Sequence, residues 1–320
     1  MHNPHIMPDA AKYIFKQEFI DRYSKLTDWE EFKKYSLSFL RKGIRVNTLK
    51  ISVKDCIQRI EAKGWKAVQI PWCTEGFWLE HNDRRDVGNL MEHHLGYFYV
   101  QEAASMIPPI VLNPQPHDAV LDMAASPGSK TTQMAAMMEN TGVLVANDYK
   151  ADRLAALGMN VQRVGASNIV ISLMYGQRMK NVLFDKILLD APCSGTGTIG
   201  KSLKTIMMWN PTMVDRLCHQ QSQLLENAWT LLKPGGTLVY STCTLEPQED
   251  EGVISAFVST HSDAEIVKIK ESELSGLKRS KAVLSFNGVT FNKQVEHCLR
   301  IWPQDNYTEG FFVTRLRKLN

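Results

Sequence analysis

Two cysteines in this sequence follow apolar segments and are flanked by residues that favour turns. Cys193 lies in Asp190-Ala191-Pro192-Cys193, after the apolar run 186–189, and Cys243 lies in Ser241-Thr242-Cys243-Thr244, after the apolar run 237–240. A lone cysteine is more often a small buried apolar residue than a nucleophile. Two cysteines in equivalent places favour a catalytic interpretation, in which a thiolate forms a covalent bond to the substrate.

The other four cysteines are Cys56, Cys73, Cys218 and Cys298, and no two cysteines of the chain form a Cys-x-x-Cys pair. The neighbours His93-His94 and Cys218-His219 are adjacent residues, whose side chains point apart on a helix or a strand. This spacing predicts six free thiols and no metal site.

A loop of small residues, Ala124-Ala125-Ser126-Pro127-Gly128-Ser129-Lys130, follows another apolar segment, and Asp148 follows the next one. Such a loop, with an acid after the second strand, fits a nucleotide-like ligand whose ribose hydroxyls bind a carboxylate. A dinucleotide loop requires three glycines and this loop has one, while a Walker A loop requires glycine where Ala124 and Ser129 stand. S-adenosylmethionine has no phosphate, so it requires only a loop of small residues and the Asp148 carboxylate. It is therefore the predicted cofactor.

Apolar segments and helical stretches alternate from about residue 118 onward, which predicts an α/β fold with a doubly wound, mostly parallel sheet. The five predicted strands are Ala119–Met123, Gly142–Asn147, Asn168–Leu173, Lys186–Leu189 and Thr237–Tyr240. A long amphipathic helix after Asn210-Pro211 is expected to end at Lys233-Pro234-Gly235-Gly236. Ligands of such sheets bind beyond the carboxyl ends of the strands, so we expect Asp148, Asp190 and both cysteines on one rim.

The first part of the chain predicts a smaller α+β module. Aromatic and aliphatic residues recur at helical spacing between Tyr13 and Trp29, and we expect them to pack in a core: Ile14, Phe15, Phe19, Ile20, Tyr23 and Leu26. A strand is predicted at Gly43–Leu49 and a helix at Ser52–Lys63, which ends at Gly64. We therefore expect two domains, residues 1–110 and 111–320.

The segment Lys33–Lys66 contains ten basic residues against two acids, a local excess of +8 in a chain whose net charge is +3. A solvated helix face is one interpretation. A surface that follows nucleic-acid phosphates is the other, because Lys and Arg that neutralise phosphates release counterions and supply affinity.

The composition excludes a disordered or membrane-spanning chain. Hydrophobic residues make up 44% of the 320 residues, and no apolar run reaches the roughly 18 residues that a membrane span requires. The start of the chain, Met1-His2-Asn3-Pro4-His5, has no secretory signal pattern. We expect a cytoplasmic monomer with no membrane partner.

These motifs together resemble the Nop/Sun family of RNA cytosine-5 methyltransferases, and within it the archaeal-type tRNA enzymes. The motifs that carry the resemblance are Arg45-Val46-Asn47-Thr48, Tyr99-Val100-Gln101-Glu102-Ala103-Ala104-Ser105, the loop 124–130, Asp190–Gly197, Ser241–Thr244 and Gly310-Phe311-Phe312. The sequence departs from the family pattern at Tyr175-Gly176, where many relatives have an acid before the glycine. It also lacks the usual basic-Pro-Asp arrangement within Lys201–Trp209.

The resemblance implies a Rossmann-like S-adenosylmethionine-dependent methyltransferase domain behind an N-terminal α+β RNA-binding module. It assigns Cys243 as the nucleophile and Cys193 to product release, the loop Ala124–Lys130 to the methionine end of the cofactor, and Asp148 to its ribose. Arg153 is expected to shape the cofactor pocket.

The remaining assignments complete the predicted site. Asp190 is our candidate for a carboxyl group hydrogen-bonded at nitrogen 3 of cytosine, and it also lies at the cofactor edge. Lys42, Arg45 and Asn47 are expected to contact RNA. The predicted partner is RNA, with tRNA favoured over rRNA. A catalytically inactive RNA-binding relative and a small-molecule methyltransferase are the alternatives.

Overall fold

The structure is a computed structural model that describes residues 4–82 and 86–320. The first three residues of the N-terminal segment considered above lie outside the described residues. The helices are α1 (Gln17–Tyr23), α2 (Trp29–Ser36), α3 (Val53–Glu61), α4 (Met91–His94), α5 (Ile107–Leu112), α6 (Ser129–Met137), α7 (Ala151–Val164), α8 (Lys204–Met208), α9 (Pro211–Thr230), α10 (Val253–Thr260) and α11 (Pro303–Asn306). The strands are β1 (Lys42–Val46), β2 (Lys66–Gln69), β3 (Gly76–Glu80), β4 (Phe98–Val100), β5 (Ala119–Asp122), β6 (Val143–Asp148), β7 (Ile169–Leu173), β8 (Phe184–Asp190), β9 (Leu232–Thr242), β10 (Ala264–Ile266), β11 (Ser285–Phe286), β12 (Val289–Thr290), β13 (Leu299–Ile301) and β14 (Phe311–Lys318).

A large sheet with the strand order β10-β14-β9-β8-β5-β6-β7 forms the second part of the molecule, with β13 paired to β14. Strands β5 to β9 are parallel to one another, whereas β10, β13 and β14 are antiparallel additions. The α/β fold predicted from the sequence is therefore confirmed. The strand order reverses between β5 and β8, where a doubly wound sheet opens a ligand crevice.

Helices pack on both faces of this sheet, so alternate residues of its strands point into two different cores. On β8, Ile187 and Leu189 pack in one core with α9 and α10, whereas Leu188 packs in the other core with α5 and α6. This burial explains the continuous apolar runs from which the strands were predicted.

The smaller sheet has the order β2-β3-β1-β4 and is antiparallel throughout. Helix α3 packs on it through Cys56 and Ile60, next to Ile44 and Phe98. Helix α3 begins after Ser52, whose side chain accepts a hydrogen bond from the Asp55 amide, and the turn after it uses Gly64 at φ +84°. The predicted α+β module is thus present.

The first two helices pack against the second part of the chain rather than on the small sheet. Phe19, Tyr23 and Phe32 share a core with Trp209 and Trp302. Ile14 is 85% exposed, so the expectation that it packs in a core was wrong, although its neighbours Phe15 and Phe19 are buried. The division into residues 1–110 and 111–320 stays a prediction.

Two properties of the described part of the chain bear on partners. None of its helices is long and apolar enough to cross a membrane. Among these same residues, no group of three or more His, Cys, Asp or Glu side chains could hold a metal ion. All six cysteines are free thiols.

Candidate active site

The two cysteines of the sequence motifs meet at the carboxyl ends of β8 and β9. These strands are parallel neighbours, and Asp190 at the end of β8 is opposite Ser241 near the end of β9. The loops that leave both strands then bring the Cys193 and Cys243 sulfur atoms to 3.3 Å from each other. A pair at this distance shares a hydrogen bond, and both side chains remain partly exposed.

An ion pair lies beside the cysteines. Lys130, from the first turn of α6, places its Nζ 2.6 Å from Oδ2 of Asp190, and the Ser241 hydroxyl donates to Asp190 Oδ1 at 2.7 Å. Burial opposes the charged form of Lys130, but the Asp190 carboxylate outweighs it and raises the Lys130 pKa. The lysine is therefore a cation held against an anion at the end of β8.

The Cys193 thiol holds its proton strongly. Its hydrogen bond with Cys243 is the main reason that its pKa lies well above the ordinary thiol value, and burial and nearby carboxylates raise it further. Either sulfur of the pair could donate the hydrogen bond that joins them.

A cavity of about 430 Å³ opens over the carboxyl ends of β5, β6 and β8. The predicted residues that line it are Ala124, Ser126, Asp148, Arg153, Asp190, Cys193 and Cys243. The structure therefore places the two cysteines and Asp190 in the same cavity as part of the predicted cofactor loop.

The Asp148 end of the cavity suits a ligand with hydroxyl groups. Asp148 is 1% exposed, and its Oδ2 lies 3.3 Å from an Arg153 nitrogen without a hydrogen bond in the described residues. Arg153 in turn donates to the Ser126 carbonyl at 2.6 Å, and its own carbonyl accepts from the Ser126 hydroxyl. A buried carboxylate oxygen without a donor fits the ribose of S-adenosylmethionine.

The rest of the predicted loop does not line this cavity. The loop residues that are not part of its lining are Ala125, Pro127, Gly128, Ser129 and Lys130, and the Lys130 ammonium group pairs with Asp190. Gly128 has φ +101°, and a side chain there would approach Leu157 to 2.8 Å. The positive φ is the reason for a glycine here, because residues with a side chain rarely adopt it.

Comparison with known proteins places the chain in a family. Residues 109–317 match the sequence profile described as 16S rRNA methyltransferase RsmB/F, which is more than half of the chain. The chain belongs to the RsmB/F family of methyltransferases. Residues 15–103 match a second profile, described as the N-terminal domain of 16S rRNA methyltransferase RsmF.

Two relatives show how the chain compares in length with RsmB/F family members. It is 44% identical over 298 residues to the ribosomal RNA small subunit methyltransferase F of Shewanella loihica, which covers 91% of this chain and 59% of that protein. It is 43% identical over 315 residues to the tRNA (cytosine(49)-C(5))-methyltransferase of Pyrococcus abyssi, which covers 95% of this chain and 99% of that protein. The chain thus spans little more than half of the bacterial relative.

A solved structure similar to this chain agrees with the fold. The crystal structure of a methyltransferase homologue from Pyrococcus horikoshii superposes with a TM-score of 0.86 at 35% identity, covering 98% of this chain and all of that one. The predicted resemblance to RNA cytosine-5 methyltransferases is confirmed by these matches.

The RNA contacts predicted for this RsmB/F family member need correction at two positions. Arg45 is 2% exposed and donates to the Ser129 carbonyl at 2.8 Å, to the Thr132 hydroxyl at 3.0 Å and to the Gln101 side chain. Asn47 is also buried and donates to the carbonyls of Gly96 and Val164. Both side chains join the small sheet to α6 and α7, so neither can contact RNA phosphates.

Lys42 is exposed at the start of β1. Its assignment to RNA stays a prediction. Lys42 is the first residue of β1, whereas the four residues after it, including Arg45, are all buried.

Several residues of the cavity were not found by sequence reasoning. The rings of Tyr149 and Tyr175 lie 5.8 Å apart at the cavity wall, and Gln220 and Gln223 face it from α9. The departure Tyr175-Gly176 was a signal for the first pair. The glutamines lie on the polar side of an amphipathic helix, where the pattern of apolar residues contains no information about a ligand.

Proposed function

We propose that this RsmB/F family member transfers a methyl group from S-adenosylmethionine to carbon 5 of a cytosine in RNA. The observation that carries the proposal is the Cys193–Cys243 pair, with sulfur atoms 3.3 Å apart, at one end of the same cavity as Asp148. Neither an inactive RNA-binding protein nor a methyltransferase for small molecules requires two thiols there.

Carbon 5 of cytosine is a weak nucleophile, which explains the need for a thiolate. In the proposed reaction the Cys243 sulfur bonds to carbon 6, and the electrons of the ring double bond become available at carbon 5. After the methyl group is transferred, water accepts the proton on carbon 5. The electrons of that C–H bond re-form the carbon 5–carbon 6 double bond as the sulfur–carbon 6 bond breaks. The aromatic ring is then restored and the Cys243 thiolate is regenerated.

The neighbours of Cys243 have roles that follow from their charge. Asp190 is proposed to accept a hydrogen bond from nitrogen 3 of cytosine once that nitrogen has taken up a proton, as the sulfur adds. Lys130 holds this carboxylate in place at 2.6 Å. Cys193 is proposed to assist release, since its thiol can donate a hydrogen bond to the departing Cys243 sulfur.

The described residues fit the cofactor along the cavity. Asp148 would hold the ribose hydroxyls, Ala124 and Ser126 would contact the methionine part, and Arg153 orients Asp148. Tyr149 and Tyr175 line the same cavity and would offer an aromatic surface to the flat adenine ring. When bound, S-adenosylmethionine supplies an electrophilic methyl group.

We favour tRNA as the substrate. The chain is 43% identical to the Pyrococcus abyssi tRNA enzyme, and the alignment covers 99% of that enzyme. An rRNA substrate is the second candidate, because the Shewanella loihica relative is named for ribosomal RNA, although the chain covers 59% of it.

The test is the transfer of labelled methyl from S-adenosylmethionine to tRNA, rRNA and DNA in parallel reactions, followed by nucleoside analysis. We expect 5-methylcytosine in RNA, with tRNA labelled most strongly, and no product from Cys243→Ala. Label in DNA alone, or normal turnover by Cys243→Ala, would contradict the proposal.

A further inference from the structure

A buried carboxylate lies behind the cysteine pair and is not used in the reaction described above. Glu249, in the π-helical turn Gln248–Gly252, is fully buried. Its Oε2 accepts from the Ser194 amide at 3.0 Å and from Gln221 Nε2 at 2.8 Å. Its Oε1 has no hydrogen-bond partner in the described residues. Such a group costs stability, so it requires an explanation.

Glu249 and Gln221 hold the peptide segment on both sides of Cys193. Gln221 Nε2 donates to the Pro192 carbonyl at 2.9 Å as well as to Glu249, and Glu249 accepts from the amide of Ser194. The residue before Cys193 and the residue after it are therefore tied to the same carboxylate. This arrangement fixes the backbone from which the Cys193 thiol reaches Cys243.

The two thiols have different charged neighbours: Glu249 is hydrogen-bonded to the residue after Cys193, and Lys130 pairs with Asp190 at the end of β8. The carboxylate of Glu249 acts on Cys193 and disfavours a negative charge there, whereas the ammonium group of Lys130 interacts favourably with a negative charge on Cys243. When two thiols share one proton, such a difference decides which sulfur holds it.

We propose that Glu249 is a positioning residue that keeps the shared proton on Cys193, so that Cys243 is the thiolate of the pair. The inference rests on the proposed function, in which Cys243 is the nucleophile. It explains why one of two adjacent cysteines attacks the substrate while the other stays a hydrogen-bond donor. One of the two thiol protons is lost to solvent and the other stays in an S–H bond. Glu249 affects which sulfur keeps that bond and forms no bond itself.

The pH range of this effect follows from the surroundings of Glu249. Burial raises the pKa of Glu249 to about 7, although the hydrogen bonds from Ser194 and Gln221 oppose the shift. The carboxylate is therefore neutral below about pH 7 and negative above it. The ionisable side chains that act on Cys193 or surround Glu249 are Asp190, Cys218, Tyr240, Cys243, Glu246 and Asp250.

Limited alkylation by iodoacetamide, with initial rates at each cysteine measured by peptide mass spectrometry, tests the proposal in the free full-length protein. In the wild-type protein we expect Cys243 to react faster than Cys193, and the ratio of the two rates to rise between pH 6 and pH 8. In Glu249→Gln, which retains an acceptor for Ser194, we expect the ratio at pH 8 to fall by about tenfold and to lose its pH dependence. The control Glu296→Gln changes an exposed acid and is expected to keep the wild-type ratio.

Two results would overturn the proposal. One is an unchanged ratio in folded Glu249→Gln, and the other is a ratio in the wild-type protein that stays constant from pH 6 to pH 8. The second measurement needs no variant, so it decides the question even where Glu249→Gln does not fold. If either alkylation result is obtained while 5-methylcytosine still forms normally, the role of Glu249 is contradicted and the proposed function is not. Absence of 5-methylcytosine would contradict that function while the alkylation ratio could still change as expected.

Discussion

At the scale of single residues, the site depends on charges that are held close together. Lys130 and Asp190 form an ion pair at 2.6 Å in which the lysine side chain is 10% exposed and the aspartate 28% exposed. Such a partly buried pair interacts more strongly than one at the surface, because water screens it less. Lys130 was predicted as a cofactor contact from its place in the loop, but its ammonium group points to the residue proposed to act on cytosine.

Lys130→Met should therefore reduce the rate of methyl transfer and leave cofactor binding almost unchanged. We expect kcat to fall by about 10²- to 10³-fold, the usual effect of removing one charge-stabilising group. Single-turnover rates and calorimetric binding of S-adenosylhomocysteine measure the two effects. Lys130→Arg retains the positive charge and serves as the matched control. Weaker cofactor binding with an unchanged single-turnover rate would contradict this role.

At the scale of elements, Arg45 joins the small sheet to the first turn of α6. Its guanidinium donates to Ser129 and Thr132, which flank Lys130 in the sequence. Burial lowers the Arg45 pKa to about 10, so the side chain is still charged at neutral pH. The contact connects strand β1 of the predicted RNA-binding module with the helix that carries Lys130.

Arg45→Met should destabilise the protein without changing how salt affects RNA binding. The substitution leaves the buried acceptors of these hydrogen bonds unpaired. Each unpaired group lowers the free energy of unfolding by about 1–3 kcal/mol, which thermal unfolding measures. The slope of RNA affinity against salt concentration reports phosphate contacts, and a buried arginine makes none. Lys42→Met is the comparison at the exposed surface of β1. A reduced slope in Arg45→Met would restore the interpretation of Arg45 as an RNA contact.

The buried triad around Arg300 gives a second prediction at this scale. Arg300 on β13 lies 3.0 Å from Asp250 and 2.5 Å from Glu251, and all three side chains are fully buried. Arg300→Met would leave two carboxylates without their cation, and we expect it to destabilise the fold by about 3–5 kcal/mol. Chemical denaturation measures this value. A loss below about 1 kcal/mol would show that the acids are protonated and need no cation.

The elements that position the site were predictable where a local pattern determines them. Parallel strands that are buried on both faces appear in the sequence as continuous apolar runs. The ends of β5, β6 and β8 were therefore predicted to within two residues. Strand β9 begins at Leu232 rather than at Thr237, because Leu232 pairs with Phe184 across a bulge. The burial of Arg45 and Glu249 depends on contacts between distant segments, and a charged residue in a sequence does not reveal such partners.

At the scale of the whole molecule, buried carboxyl groups make stability depend on pH. Burial and, to a smaller extent, the nearby Glu309 carboxylate raise the pKa of Glu102 to about 8. Burial also raises the pKa of Asp122 to about 7. In the unfolded chain both groups have lost their protons well below pH 7, whereas the folded protein retains them. Stability from these groups is therefore present at low pH and is lost as the pH rises toward 8.

Glu102→Gln should remove part of this dependence. Melting temperatures between pH 5 and pH 9 should fall less with rising pH in the variant than in the wild-type protein, because glutamine cannot ionise. A group of this kind contributes about 1.4 kcal/mol for each pH unit between its two pKa values. Glu296→Gln, at an exposed position, should retain the wild-type profile. Identical profiles for Glu102→Gln and the wild-type protein would contradict the buried, protonated state of Glu102.

The central claim is that Cys243 forms a covalent bond to cytosine in RNA and that Cys193 assists its release. The most direct measurement is denaturing electrophoresis of Cys193→Ala after incubation with S-adenosylmethionine and tRNA, with the attached nucleotide located by mass spectrometry. The account predicts a denaturation-resistant protein–RNA complex linked through Cys243, and its absence from the double variant Cys193→Ala/Cys243→Ala. Product release by Cys193→Ala at the native rate, or a complex linked through another residue, would contradict it.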